Sequence, residues 1–162
     1  MNNHRHTPTS LSLARPTNPR LIGILALFLL LAASVSNAHA ERLSQILKAI
    51  RAVETGGNPS PAHAIGDGGR SFGPYQISQE YWLDAGAICD WDDIKKTAVA
   101  EKVMVAYWKR YCPDALKKGD AATLARIHNG GPNGLKKKSA TDPYCQRVLA
   151  ELNRLKYQTA SR

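Results

Sequence analysis

Between Arg42 and Thr55 the apolar positions Leu43, Ile46, Leu47, Ile50 and Val53 recur at helical spacing. Gly56-Gly57 then supply a stop, and Pro59 and Pro61 prevent continuation. Residues 58–74 are rich in Gly, Pro, Ser and Asp and predict a loop, with Phe72 and Tyr75-Gln76-Ile77 forming a small hairpin. Ser78 with Tyr81, Trp82 and Leu83 opens a short helix that ends near Gly86. The longest helical pattern runs from Asp92 to Tyr111, with acids at its start and Lys109-Arg110 near its end, a polarity that suits the helix dipole. Its stretch from Ala98 to Trp108 is apolar nearly all round, which predicts a buried central helix. Asp120 caps a short helix to about Ile127, and Asn129-Gly130-Gly131-Pro132 ends it. Thr141-Asp142-Pro143 has the chemistry of a helix start and opens a last helix through Val148, Leu149 and Leu152. The pattern predicts a mainly helical α+β domain with one small, irregular β segment after the first helix.

Upstream of this domain the pattern changes. Residues 1–20 are polar, carry Arg5, Arg15 and Arg20 and contain no acid. An apolar run from Leu21 to Ala33 follows, and Ala38-His39-Ala40 is a small-x-small cleavage pattern. Together these read as a secretory signal peptide over residues 1–40, cut after Ala40. The run is short for a membrane span of about 20 residues. The folded domain is then expected over residues 41–162, in a secreted or periplasmic protein with no stable membrane span after processing.

The chain has 162 residues, room for one domain, and carries a formal charge of +9. Removing residues 1–40 takes away three arginines and no acid and leaves +6. That excess favours an anionic surface or polymer, and export makes nucleic acid the least expected partner. Three cysteines, Cys89, Cys112 and Cys145, are too few for a disulfide scaffold or a four-cysteine zinc site. A continuous helix of twenty residues would hold Cys89 and Cys112 about 30 Å apart. A disulfide needs Cα atoms within about 7 Å. No bond is expected between those two, and at most one disulfide, involving Cys145. No nucleotide-phosphate loop, metal-ligand spacing or G-x-S-x-G elbow is present, so no cofactor or metal is implied.

Three places carry candidate chemistry. Glu54 closes the first helix, where the dipole and the apolar neighbours Ile50 and Val53 disfavour a bare negative charge. A carboxyl that keeps its proton is what a glycosidase donates to a leaving oxygen, although a solvated surface Glu fits the same local pattern. Asp67, in Ile65-Gly66-Asp67-Gly68-Gly69, reads first as turn chemistry and second as the other carboxylate of a catalytic pair. His128-Asn129-Gly130-Gly131-Pro132 is a helix stop that could also present polar groups to a ligand. The aromatics Tyr75, Tyr81, Trp82, Trp91, Tyr107, Trp108 and Tyr111 are expected mostly in the core. The run Lys136-Lys137-Lys138 reads as a solvated loop able to meet an anionic polymer.

Four blocks then occur in order: Val53-Glu54-Thr55-Gly56-Gly57-Asn58-Pro59, Gly73-Pro74-Tyr75-Gln76-Ile77, Tyr81-Trp82-Leu83-Asp84, and Ala125-Arg126-Ile127-His128-Asn129-Gly130-Gly131-Pro132. In this order they resemble the invertebrate-type lysozymes, or destabilase family, from about Ile50 to Val148. The resemblance implies a lysozyme-like fold and hydrolysis of the β-1,4 bond between N-acetylmuramic acid and N-acetylglucosamine in peptidoglycan. It implies Glu54 as general acid/base, Asp67 as nucleophile or oxocarbenium stabiliser, and Gln76, His128, Asn129 and Gly130 as substrate-binding residues. Peptidoglycan glycan strands are the implied partner, with anionic wall polymers beside them, and the oligomeric state is left open. The chain departs from the animal members in having three cysteines where they have many. The serine that some relatives carry just after the catalytic Asp aligns with Gly69, with Ser71 two residues on, which speaks against an isopeptidase. A lytic transglycosylase using Glu54 alone and a non-catalytic wall-binding protein of the same fold are the alternatives.

Overall fold

The computed structural model describes residues 19–58 and 60–161. The polar, arginine-bearing segment 1–18 and Pro59 lie outside them. The chain divides into two units, 1–36 and 37–162. In the first unit the described residues are helical. They belong to α1, Pro19–Thr55, which reaches back well beyond Arg42. Leu, Ala and Ile dominate that stretch, and the Leu and Ala are among the strongest helix formers. Among the described residues no helix is long and apolar enough to cross a membrane.

The second unit is the mainly helical α+β domain that the pattern predicts. After α1, Gly56 and Gly57 both take positive φ and end the helix. Three two-residue strands follow, β1 Ile65–Gly66, β2 Ser71–Phe72 and β3 Ile77–Ser78. They pair antiparallel in the order β1-β2-β3, with Phe72 opposite both Ile65 and Ile77. Ser78 then caps α2, Gln79–Asp84, its hydroxyl accepting from the Tyr81 amide at 3.2 Å.

The long pattern from Asp92 resolves into two pieces. Trp91–Lys95 is a 3₁₀ turn, Lys96 is extended, and α3 runs Thr97–Tyr111. One 3₁₀ turn and one α turn place their apolar residues at nearly the same spacing, so periodicity alone does not separate them. The predicted central helix is buried on one face only, through Ala100, Val103, Met104, Tyr107 and Trp108, while Ala98, Lys102 and Lys109 are exposed. Trp108 is fully enclosed, and its indole N–H donates to the Leu124 carbonyl at 3.2 Å.

A short helix that the periodicity misses, α4 Pro113–Lys118, links α3 to the next element. Pro113 stands in its first turn and Gly119 ends it at φ 62°, the Pro-start, Gly-stop asymmetry of helices. The Arg42 guanidinium donates to the Gly119 carbonyl at 2.8 Å, and a Cβ on Gly119 would lie 2.8 Å from that side chain. The contact ties the α4 cap to α1.

Helix α5, Ala121–Gly130, begins where Asp120 accepts from the Thr123 amide at 3.2 Å, and it runs three residues past the predicted end. The last helix, α6 Lys138–Ala160, starts a turn before Thr141 and carries Pro143 inside it. Thr141 is therefore no cap. It is buried, accepts from Arg126 at 3.0 Å and donates to the carbonyl of Gly134 at 3.1 Å. Arg126 also pairs with Asp142. This clamp fixes α5 against α6, and His128 and Tyr144 each lie two residues beyond it.

The three cysteines, Cys89, Cys112 and Cys145, are free thiols. Cys145 sits in the second turn of α6, where its thiol donates to the Ala122 carbonyl at 3.7 Å. Burial pushes the Cys112 thiol up to about 11.

Candidate active site

Glu54 is the penultimate residue of α1, and 16% of its side chain is exposed. Two groups converge on one of its oxygens. The Tyr144 hydroxyl, from α6, donates to Oε1 at 2.6 Å, and His128 Nε2, from α5, lies 3.1 Å from the same atom. The other ring nitrogen of His128 stands 3.3 Å from the Tyr81 hydroxyl. Tyr81 in turn stacks on Tyr107 of α3, with centroids 3.7 Å apart and planes 13° from parallel.

The proton bookkeeping of this row is determined by the acids at its ends. Burial holds the Tyr144 phenol well above the ordinary tyrosine range, and the negative charge and hydrogen bond of Glu54 push it the same way. Tyr144 is thus a fixed donor. Burial raises Tyr81 similarly, so it too keeps its proton. A His128 tautomer that donates from Nε2 to Glu54 and accepts at Nδ1 from Tyr81 gives both ring nitrogens a partner, and it is assigned from the network. Both contacts meet Oε1, and among the described residues no hydrogen bond to Oε2 is seen.

His128 is itself buried, with 4% of its side chain exposed. With both nitrogens engaged inside the protein, its place is behind Glu54. Asn129, next to it, is exposed, and Gly130 closes α5 against the Thr141 methyl.

Asp67 and Gln76 form a second group on the hairpin. Asp67 is exposed and takes φ 50° in the turn between β1 and β2. Its Oδ2 accepts from the buried Ser71 hydroxyl at 2.7 Å. The Gln76 amide donates to the Gly73 carbonyl at 2.9 Å, and its Oε1 covers Gly66 so closely that a Cβ there would stand 2.1 Å away. Gln76 therefore braces the strand that leads into Asp67. Among the described residues no hydrogen bond joins this group to the Glu54 row.

Against known proteins, the family profile described as Destabilase matches residues 44–150, which takes in both groups. The chain belongs to the destabilase family. Lysozyme 1 of Crassostrea virginica is 35% identical over 109 residues, 66% of this chain and 58% of that protein. The invertebrate-type lysozyme of Ruditapes philippinarum is 34% identical over 84 residues, covering 51% and 62%. A lysozyme of Magallana gigas is 32% identical over 124 residues, covering 74% and 86%. The chain spans less than two thirds of the length of the first two of these relatives.

Of the residues in the row, Tyr144 is the one that sequence reasoning passes over. It shares a helix face with Val148 and Leu152, so it reads as one more core aromatic. Its partner Glu54 is ninety residues away in the chain, and no local pattern connects them.

Proposed function

We propose that this destabilase-family protein is a secreted muramidase that hydrolyses the β-1,4 bond between N-acetylmuramic acid and N-acetylglucosamine in peptidoglycan. The observation that carries the reading is Glu54, seated at a helix end with Oε1 held by Tyr144 and His128. Its relatives' lysozyme names support the same substrate class. Residues 1–40 are proposed to direct export and to be removed.

In this mechanism Glu54 carries its proton on Oε2 and gives it to the glycosidic oxygen as the bond to the anomeric carbon breaks. The two donors on Oε1 stabilise the carboxylate left behind. Asp67 supplies negative charge to the oxocarbenium-like sugar or attacks it. Glu54 then takes a proton from the incoming water and is restored. Gln76 is assigned to positioning Asp67, Asn129 and Gly130 to substrate binding. His128 is assigned to orienting Glu54, because its ring is enclosed.

Identification of the sugars released from purified peptidoglycan tests the reaction. Free reducing ends are expected. A product carrying 1,6-anhydro sugars would replace this reading with a lytic transglycosylase, in which Glu54 acts alone and Asp67 has only its turn to serve. Absence of any released sugar from folded protein would leave a wall-binding role.

Tyr144→Phe gives a finer test. It keeps the ring in its packing but removes a hydrogen bond to a carboxylate, an interaction worth about 1.5–3 kcal/mol. A fall in kcat of about tenfold is expected, with KM nearly unchanged, since the hydroxyl touches Glu54 and not the sugar. A rise in KM at constant kcat would assign Tyr144 to substrate binding.

A further inference from the structure

Two adjoining hollows, of about 290 and 320 Å³, lie between the C-terminal half of α1 and α6. They share Ala52, Glu151 and Arg154 and so form one groove. Its walls carry Lys48 and Arg51 from α1 and Arg147 and Arg154 from α6, against a single acid, Glu151. Glu151 holds Arg154 with both oxygens, at 2.7 and 2.6 Å. Among the described residues Lys48, Arg51 and Arg147 are in no ion pair, and Arg147 lies over the Tyr144 ring at 5.8 Å. One end of the groove is lined by Thr55, Gly57 and Asn58, the residues that follow Glu54.

From this arrangement we infer that the groove binds the carboxylates of the peptide stems attached to the glycan strand that Glu54 cleaves, an inference that rests on the muramidase reading. Gathering Lys48, Arg51 and Arg147 where the one acid is already paired with Arg154 costs folding energy and raises the local concentration of anions. Arg154 is already taken up by Glu151, so the cations that the groove offers a carboxylate are Lys48, Arg51 and Arg147. The position, opening beside the end of the Glu54 helix, suits an acid that is covalently joined to the bound sugar. The groove is distinct from Lys136-Lys137-Lys138, which lie exposed at the start of α6 and in the turn before it.

The test is titration calorimetry on Glu54→Gln protein, which prevents turnover. The probes are a disaccharide–tetrapeptide with free stem carboxylates, the same compound with those carboxylates amidated, the stem-free disaccharide, and a phosphodiester wall polymer. Lys48→Glu/Arg51→Glu is expected to weaken binding of the free-carboxylate probe about three- to tenfold and to abolish its advantage over the amidated probe. Lys136→Glu/Lys137→Glu makes the same change in charge and is expected to keep that advantage. Should charge reversal lower the thermal midpoint, Lys48→Gln/Arg51→Gln is read the same way. The inference is overturned if the free-carboxylate advantage survives in the groove variants. It is equally overturned if both pairs of substitutions reduce binding alike, or if the phosphodiester polymer alone depends on the groove. A stem advantage that depends on the groove, together with no binding of the stem-free disaccharide, would uphold the groove and count against the muramidase reading instead.

Discussion

Glu54→Gln is expected to slow release of sugars from peptidoglycan by at least about 10²-fold, the low end for loss of a general acid. The amide has the size and shape of the carboxyl group. Its oxygen can still accept from the Tyr144 hydroxyl and from His128 Nε2–H, the two contacts that hold Glu54 in place. What the amide lacks is an acidic proton at the other position. The thermal midpoint should therefore stay close to that of the unaltered protein while the rate falls. Rates from product quantification, set beside thermal unfolding of the same samples, check both halves. Near-normal activity in a folded Glu54→Gln protein would sink the assignment of Glu54 as the acid.

Asp67→Asn is expected to be nearly as severe, and the geometry makes it a clean substitution. Asp67 sits at φ 50°, where Asn is among the few side chains that rest comfortably. The Asn carbonyl can take over the hydrogen bond from the Ser71 hydroxyl, now 2.7 Å from the carboxylate. The turn is kept and only the negative charge is removed. A large loss of rate with an unchanged thermal midpoint then reports on the negative charge of Asp67 and not on its turn. Asp67→Ala would confound the two effects, because it removes the turn bond and places a β-carbon residue without polar compensation at positive φ. Full activity of Asp67→Asn, with 1,6-anhydro products, would assign Asp67 to the turn alone.

The elements that local chemistry specifies were readable from the chain. Ser78 and Asp120 cap α2 and α5 because their side chains reach amides three residues on, a relation contained in a few consecutive residues. The α1 stop at Gly56-Gly57 is of the same kind. The apolar face of α1 is buried at Ile46, Leu47 and Ile50, since burial follows a 3.6-residue period wherever one face meets a core. α4 is the exception: Pro113 and Gly119 mark its two ends, but a helix of six residues is too brief for its periodicity to register.

Tertiary structure decided the rest, and each case turns on a partner remote in sequence. The start of α6 moved from Thr141 to Lys138 because Thr141, a good cap by composition, is instead drawn to Arg126 and Gly134. The extended Lys96 between the 3₁₀ turn and α3 breaks a pattern that composition leaves continuous. Most of all, the sequence singles out Glu54 and His128 as polar residues at helix ends, each with a plausible local role. It does not say that they touch, or that Tyr144 stands on the other side of the carboxylate. Contacts spanning 74 and 90 residues exist only once α5 and α6 are clamped together and packed against α1. Local propensity acts over a few residues, whereas a buried hydrogen-bonded row requires helices from both ends of the domain to meet, and packing alone supplies that.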